Sequence, residues 1–294
     1  MSYGNKAQSI KMNSDIEKKW QDWLFYTRDR CHLNFELFGG TIQSHVKAGN
    51  ESGRLTAKRI KTDLDDIKPA RILEVGCSVG FNCLGLANEF EEAFVFGIEP
   101  DQEAIDVANA MSNNSDRLKF LQGYGENLPF DDNYFDLIIC HTVIEHVQDV
   151  PSVIKEMQRV LKKNGTIHLE APNYAWPYEP HLGIFCIPLL GKTLTRGFAL
   201  IQGKEKQISY LEHLQFVYPN MLQRLFAENK LSWENKVELK IDRVISGNYA
   251  VVKKYKKLAV IISILNKLKL SWIVKKFIIS SQMYPSVLYT LKKN

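Results

Sequence analysis

The sequence predicts an α/β protein built on a doubly wound, mostly parallel sheet. Three observations carry that prediction. Between residues 70 and 172, apolar runs of strand length alternate with amphipathic helical stretches, the pattern of a parallel sheet covered on both faces. The first run, Arg71-Ile-Leu-Glu-Val75, passes straight into a glycine turn, Gly76-Cys-Ser-Val-Gly80. The next, Phe94-Val-Phe-Gly-Ile-Glu99, ends on a carboxylate.

The elements follow in order. Residues 14 to 45 read as helical, with Trp20, Trp23, Leu24, Phe35, Leu37 and Phe38 as apolar faces, until Gly39-Gly40 breaks them. Arg54 to Leu64 reads as a second helix leading into the first strand. Later, Val150 to Lys163 is an amphipathic helix and Gly165 to Pro172 a strand. Pro219 to Lys230 is a helix with proline in its first turn. Val237 to Ile245 alternates in part and reads as a strand.

At 294 residues and 45% hydrophobic, the chain can bury a large core. Its five cysteines (Cys31, Cys77, Cys83, Cys140, Cys186) form no CxxC pair, which points to reduced thiols in a cytoplasmic protein and away from a disulfide framework or zinc site. The N-terminal residues lack the apolar core of a signal peptide. Net charge is +5, but unevenly spread. From Arg243 to Asn294 there are ten lysines, one arginine and no acid, against 27 basic and 33 acidic residues elsewhere. The same stretch is apolar (Leu258 to Leu265, Trp272 to Val274, Phe277 to Ile279), yet Lys267 and Lys269 interrupt it before the ~20 residues that a membrane span needs. A basic, apolar stretch fits peripheral contact with an anionic membrane at its inner face, and fits better the commoner case of a helical cap whose lysines face solvent.

Gly76 and Gly80 let backbone pass close to a ligand, and the Glu99 carboxylate can accept from both hydroxyls of a ribose. A dinucleotide fingerprint would need glycines at 76, 78 and 81, where this chain has Gly76, Ser78 and Phe81. The loop Glu74-x-Gly76-x-Ser78-x-Gly80 instead resembles motif I of the Rossmann-like (class I) S-adenosylmethionine-dependent methyltransferases. The resemblance continues in order. Gly123-Tyr-Gly-Glu-Asn-Leu-Pro-Phe130 is similar to the loop beside the adenine, with Tyr124 where the family often has Asp. Tyr134-Phe-Asp-Leu-Ile-Ile-Cys-His-Thr-Val-Ile-Glu-His146 resembles the fourth strand and its loop. It implies S-adenosyl-L-methionine as cofactor, held by Glu74, Gly76, Cys77, Ser78, Gly80, Glu99, Pro100, Gly125, Glu126 and His141, with Leu128 against the adenine. It also implies seven strands ending in an antiparallel pair, the last at Ser286 to Leu291. The chain then divides into an N-terminal helical segment (1–68), a cofactor-binding core (69–173), an acceptor lid (174–218) and a C-terminal part (219–294) with a basic apolar insertion at 248–282.

Methyl transfer is an in-line displacement, so positioning dominates, and a base is needed only for a protonated acceptor such as a hydroxyl. His181 and His213, in a lid rich in Tyr, Trp and Glu, are the candidate bases. His168, within a strand, reads as structural. Glu145-His146 resembles the pair of ubiquinone-type O-methyltransferases, some of which hold a divalent metal with a further acid three positions earlier. Thr142 stands there, so no metal is expected. Pro177-Tyr-Glu-Pro-His-Leu-Gly183 and Glu212-His-Leu-Gln-Phe216 resemble enzymes of surface-polysaccharide synthesis. The expected activity is O-methylation of a small-molecule or glycan acceptor, lipid-carried in one version. A nucleic-acid methyltransferase and a non-catalytic cofactor binder are the alternatives. The first lacks the Asn/Asp-Pro-Pro-Tyr/Phe motif after strand four, where His141-Thr-Val-Ile144 stands.

Overall fold

The computed structural model describes residues 10, 12–31, 40–65, 67–113, 115–179, 183–187, 191–205, 208–245 and 264–294. Two helices lead in, α1 (Ser14–Cys31) and α2 (Ile42–Asp63). The alternating core follows: β1 (Arg71–Val75), α3 (Phe81–Glu89), β2 (Phe94–Glu99), α4 (Gln102–Met111), β3 (Leu118–Gln122), β4 (Phe135–His141), α5 (Val150–Val160) and β5 (Leu161–Pro172). An insertion then carries a short ribbon, β6 (Tyr178–Glu179) with β7 (Ile184–Phe185), and helices α6 (Gly191–Ile201) and α7 (Ile208–His213). The chain closes with α8 (Pro219–Glu228), β8 (Leu231–Asn235), α9 (Val237–Ile245), α10 (Ser271–Ser280) and β9 (Ser286–Lys293).

The seven-stranded sheet runs β3-β2-β1-β4-β5-β9-β8, all parallel except β9, which is antiparallel to both neighbours. Strand order reverses between β1 and β4, and ligands of such sheets bind beyond the carboxyl ends at that switch point. One face packs Ile72, Val95, Leu137 and Ile139 against Ala57 and Ile60 of α2 and Leu86 of α3. The other packs Leu73, Ile138, Ile167 and Leu169 against Val153 and Met157 of α5 and Leu222 and Phe226 of α8. Alternating strand residues feeding two covered faces is what makes β1, β2 and β4 almost continuously apolar.

Three elements differ from the sequence reading. Val237–Ile245 is the helix α9, and the strand is Leu231–Asn235 just before it. Val237 is buried and Ile241 packs on the core while Leu239 is exposed, so the four-residue period prevails over the two-residue one. Asn235 Oδ1 accepts from the Val237 N–H (3.0 Å) and starts the helix. The insertion before the last strand therefore begins at 236. The helix expected from Arg54 begins twelve residues earlier, at Ile42, where Thr41 Oγ1 caps the Ser44 N–H (3.2 Å). The strand expected from Gly165 pairs already at Leu161 with Phe135, before a register shift. Phe35, Leu37, Phe38, His32, His181 and Lys253, Lys254, Lys256 and Lys257 lie outside the described residues.

Candidate active site

The turn after β1 is left-handed at every second residue: Gly76 at φ +70°, Ser78 at +47° and Gly80 at +85°. The Gly76 and Cys77 N–H groups both donate to the Ile98 carbonyl of β2, at 2.8 and 3.0 Å, which ties the loop down. A Cβ at Gly76 would stand 2.3 Å from a Val143 methyl, so this glycine lets the loops after β1 and β4 meet at the switch point. Val79 is buried in the cluster of Trp20 and Trp23 from α1, which roofs the loop. Tyr26 of α1 donates to Asp101 (3.3 Å), two residues beyond Glu99.

Glu99 closes β2 beside this loop. Its carboxylate accepts from the Ser78 N–H at 2.8 Å and, more weakly, from the Asp101 N–H at 3.4 Å. Burial pushes its pKa up to about 7, with Asp101 adding to the rise. A carboxylate has about four acceptor positions, so the half-buried Glu99 keeps room for further donors, and vicinal ribose hydroxyls match that donor set. The residues at the switch point thus fit the adenosyl ligand. Not every expected contact faces it. Glu74 turns inward, accepting from Asn82 Nδ2 (2.8 Å) and the Cys83 thiol (3.0 Å) of α3, and burial pushes it too up to about 7. Cys77 is buried behind the loop; a Cβ at Gly97 would stand 2.6 Å from its sulfur. Pro100 lends its carbonyl to Gln122 (2.9 Å).

The remaining loops converge on the same edge. Gly125 is buried against Val75, at 3.1 Å from where its Cβ would be. Glu126 Oε1 accepts from the N–H groups of Gln148 (2.7 Å) and Asp149 (3.3 Å), binding the loop after β3 to the start of α5. Tyr124 is exposed, whereas Leu128, expected against the adenine, is buried in the core, where its N–H is held by Glu156 (2.9 Å). Glu145 is fully buried, 3.7 Å from His146 Nε2, and its carbonyl takes the Gln215 N–H at 2.6 Å. The pair sits where the insertion after β5 meets the core, with Glu179 buried nearby and Tyr174 stacked on Phe216 at 4.2 Å. Burial, then Glu179 and Glu145, push the Tyr174 phenol well up.

Beside His141 lies a polar network that spans β4 and β5 on the face of the sheet covered by α2. His141 Nε2 is 2.7 Å from His168 Nδ1, and His168 Nε2 faces Asp63 Oδ2 at 3.5 Å. Arg243 of α9 pairs with Asp63, and Glu170 is held by Arg59 (2.7 Å) and Lys240. Burial alone would raise both acids. Arg243, together with His168 at 3.5 Å, outweighs it and lowers Asp63; Lys240 and Arg59 hold Glu170 well below the carboxylate range. Burial, and then His168, lower His141 well below its ordinary value and keep it neutral. Sequence reading had set His168 aside and missed Asp63 altogether, since the three lie on α2, β4 and β5 with no shared local pattern. His213 is exposed at the end of α7.

Comparison with known proteins bears on the same segment. Residues 73–169 match the family model described as a methyltransferase domain. An uncharacterised methyltransferase of Bacillus subtilis, YcgJ, is 32% identical over 117 residues, 39% of this chain and 45% of that protein, so the chain spans under half of its length. A demethylmenaquinone methyltransferase of Staphylococcus aureus is 25% identical over 186 residues, 60% of this chain and 74% of the relative. A phosphoethanolamine N-methyltransferase of Haemonchus contortus, solved with S-adenosyl-L-methionine, shares the fold at a TM-score of 0.53 and 14% identity, over 92% of this chain and 60% of that one. The glycine turn, the acidic end of β2 and the matched segment coincide on the switch point: this chain carries an S-adenosylmethionine-dependent methyltransferase domain of the Rossmann-like class.

Proposed function

We propose that the whole chain methylates a hydroxyl of a small-molecule or glycan acceptor, carried on lipid, and that His141 takes the hydroxyl proton. The arrangement of Asp63, His168 and His141 carries this reading. Bound at the switch point, S-adenosylmethionine supplies a methyl group activated by a sulfonium. Asp63, ionised, can only accept, so His168 presents Nε2–H to it and a lone pair at Nδ1. His141 then donates from Nε2, and its Nδ1 is left as a bare acceptor. Among the described residues no hydrogen bond uses that nitrogen. A neutral, oriented imidazole at the end of β4 is suited to deprotonate a hydroxyl, and a base of this kind contributes roughly 100- to 10,000-fold. Loops pinned by Glu126 and by Gln215 would hold the lid edge over the reacting groups and exclude water.

The test is Asp63→Asn. An Asn oxygen still accepts from Arg243 while its amide donates to His168 Nε2, which inverts both tautomers and gives His141 an Nδ1–H. Nitrogen-15 spectra of the histidine rings should show that inversion. Turnover of labelled cofactor on a panel of sugars, polyprenyl-linked sugars and phenols should fall about 100-fold or more while cofactor affinity holds. An unchanged tautomer with unchanged turnover, or label found on nitrogen, would remove the reading.

A further inference from the structure

We propose that α10 and the turn before it form a docking surface for an anionic lipid bilayer, set at the same edge of the sheet as the cofactor site. The helix has two sides. Inward, Lys275 pairs with Glu238 (2.7 Å) and Asp242 (2.6 Å) of α9, and Ile278 packs on the core. Outward, residues 272, 273, 276, 277 and 280 lie within one 140° arc at 100° per residue. They are Trp272 (62% exposed), Ile273, Lys276, Phe277 (63% exposed) and Ser280. The preceding turn adds exposed Ile264, Leu268 and Leu270, with Lys267 and Lys269 between them. No residue of α10 is buried.

Charge complementarity selects the partner. From residue 244 to 294 there is no acidic residue, so the outward lysines among large apolar side chains are uncompensated from within the stretch. Lysine interleaved with Trp, Phe, Ile and Leu on one helix face is the chemistry of an interfacial helix lying in the plane of anionic headgroups. Among the described residues no helix is long and apolar enough to cross a membrane. Topology supplies the position. β8 runs parallel to β5, so α9 leaves from the carboxyl edge, and the chain re-enters at Ser286, opposite Pro172 at the end of β5. The lid springs from that same edge, with Phe185 and Ile201 exposed. A lipid-carried acceptor would thus meet the site from the surface on which the protein rests.

This deepens the reading above, but vesicle binding requires neither cofactor nor turnover, so each can fail alone. The full chain should co-sediment at low salt with phosphatidylcholine vesicles containing about 30% phosphatidylglycerol, far more than with phosphatidylcholine alone, and be released by salt. Changing Lys267, Lys269 and Lys276 to Gln should weaken binding on the order of 100-fold. Brominated acyl chains should quench tryptophan fluorescence in the wild type and much less in Trp272→Phe. Cofactor affinity, unchanged in each variant, reports the intact fold. The proposal is overturned if the wild type ignores anionic vesicles at low salt, if the variants bind as well as the wild type, or if the same residues prove to hold a second copy of the chain in sedimentation velocity.

Discussion

Glu99 is a carboxylate pushed up to about 7 by burial, with a single strong donor from the protein. Its raised value means that the ligand-free site is partly protonated near neutrality. Ribose hydroxyls favour the ionised form, so binding should release a proton and tighten as pH rises from about 6 to about 8. Glu99→Gln should lose that pH dependence, and Glu99→Ala should weaken S-adenosylmethionine binding by about 1.5–3 kcal/mol. Calorimetry in buffers of different ionisation enthalpy reads both effects, and unchanged affinity in the alanine variant would sink the ribose role. At this scale the sequence was informative wherever chemistry is local. Gly76, Ser78 and Gly80 announce a turn, and Glu99 stands at the end of an apolar run. Glu74 and Leu128 misled because a motif position does not show which way a side chain turns. Both are directed into the interior, the one by α3 and the other by α5.

The α2–α3 crossing shows what an element can hide. A Cβ on Gly85 would come 2.3 Å from the Gly53 carbonyl oxygen, and one on Gly53 would come 2.1 Å from that of Phe81. The contact is backbone to backbone and cannot yield as a side chain would. Gly→Ala in a helix gains about 1 kcal/mol of propensity, while overpacking costs about 1–3 kcal/mol. Gly85→Ala should therefore lower the denaturant midpoint. Gly197→Ala in α6, with nothing within 4 Å, should raise it. A stabilised Gly85→Ala would disprove the tight crossing. Glycines also explain why α2 read as a short helix from Arg54. Gly49 and Gly53 look like breakers, yet they serve the packing of Phe81 and α3. α9 was misread for another reason: Val237, Leu239 and Ile241 fit either period, and only the core that Ile241 meets decides between them.

For the molecule as a whole, sheet order and switch point could be anticipated from alternation and resemblance, whereas the network beneath the site could not. Asp63 and Arg243 are 180 residues apart, and Glu170 and Lys240 are 70 apart. No local pattern links them. That separation bears on how the protein is born. During synthesis the cofactor-binding half leaves the ribosome first, carrying Asp63 and Glu170 toward a low-dielectric interior before Arg243 and Lys240 exist. Of the two acids, only Glu170 has an early cation among the described residues, Arg59. β9, which seals β5, is made later than either cation. A chain ending at residue 236 should accordingly remain protease-sensitive and fail to melt cooperatively, although every strand that bears an expected cofactor contact is present. Supplying residues 237–294 in trans should rescue it. Cooperative melting of the shorter chain alone would show that the first half matures independently. Otherwise the sheet and the loops at its switch point become a stable fold only once residues 237–294 have joined them.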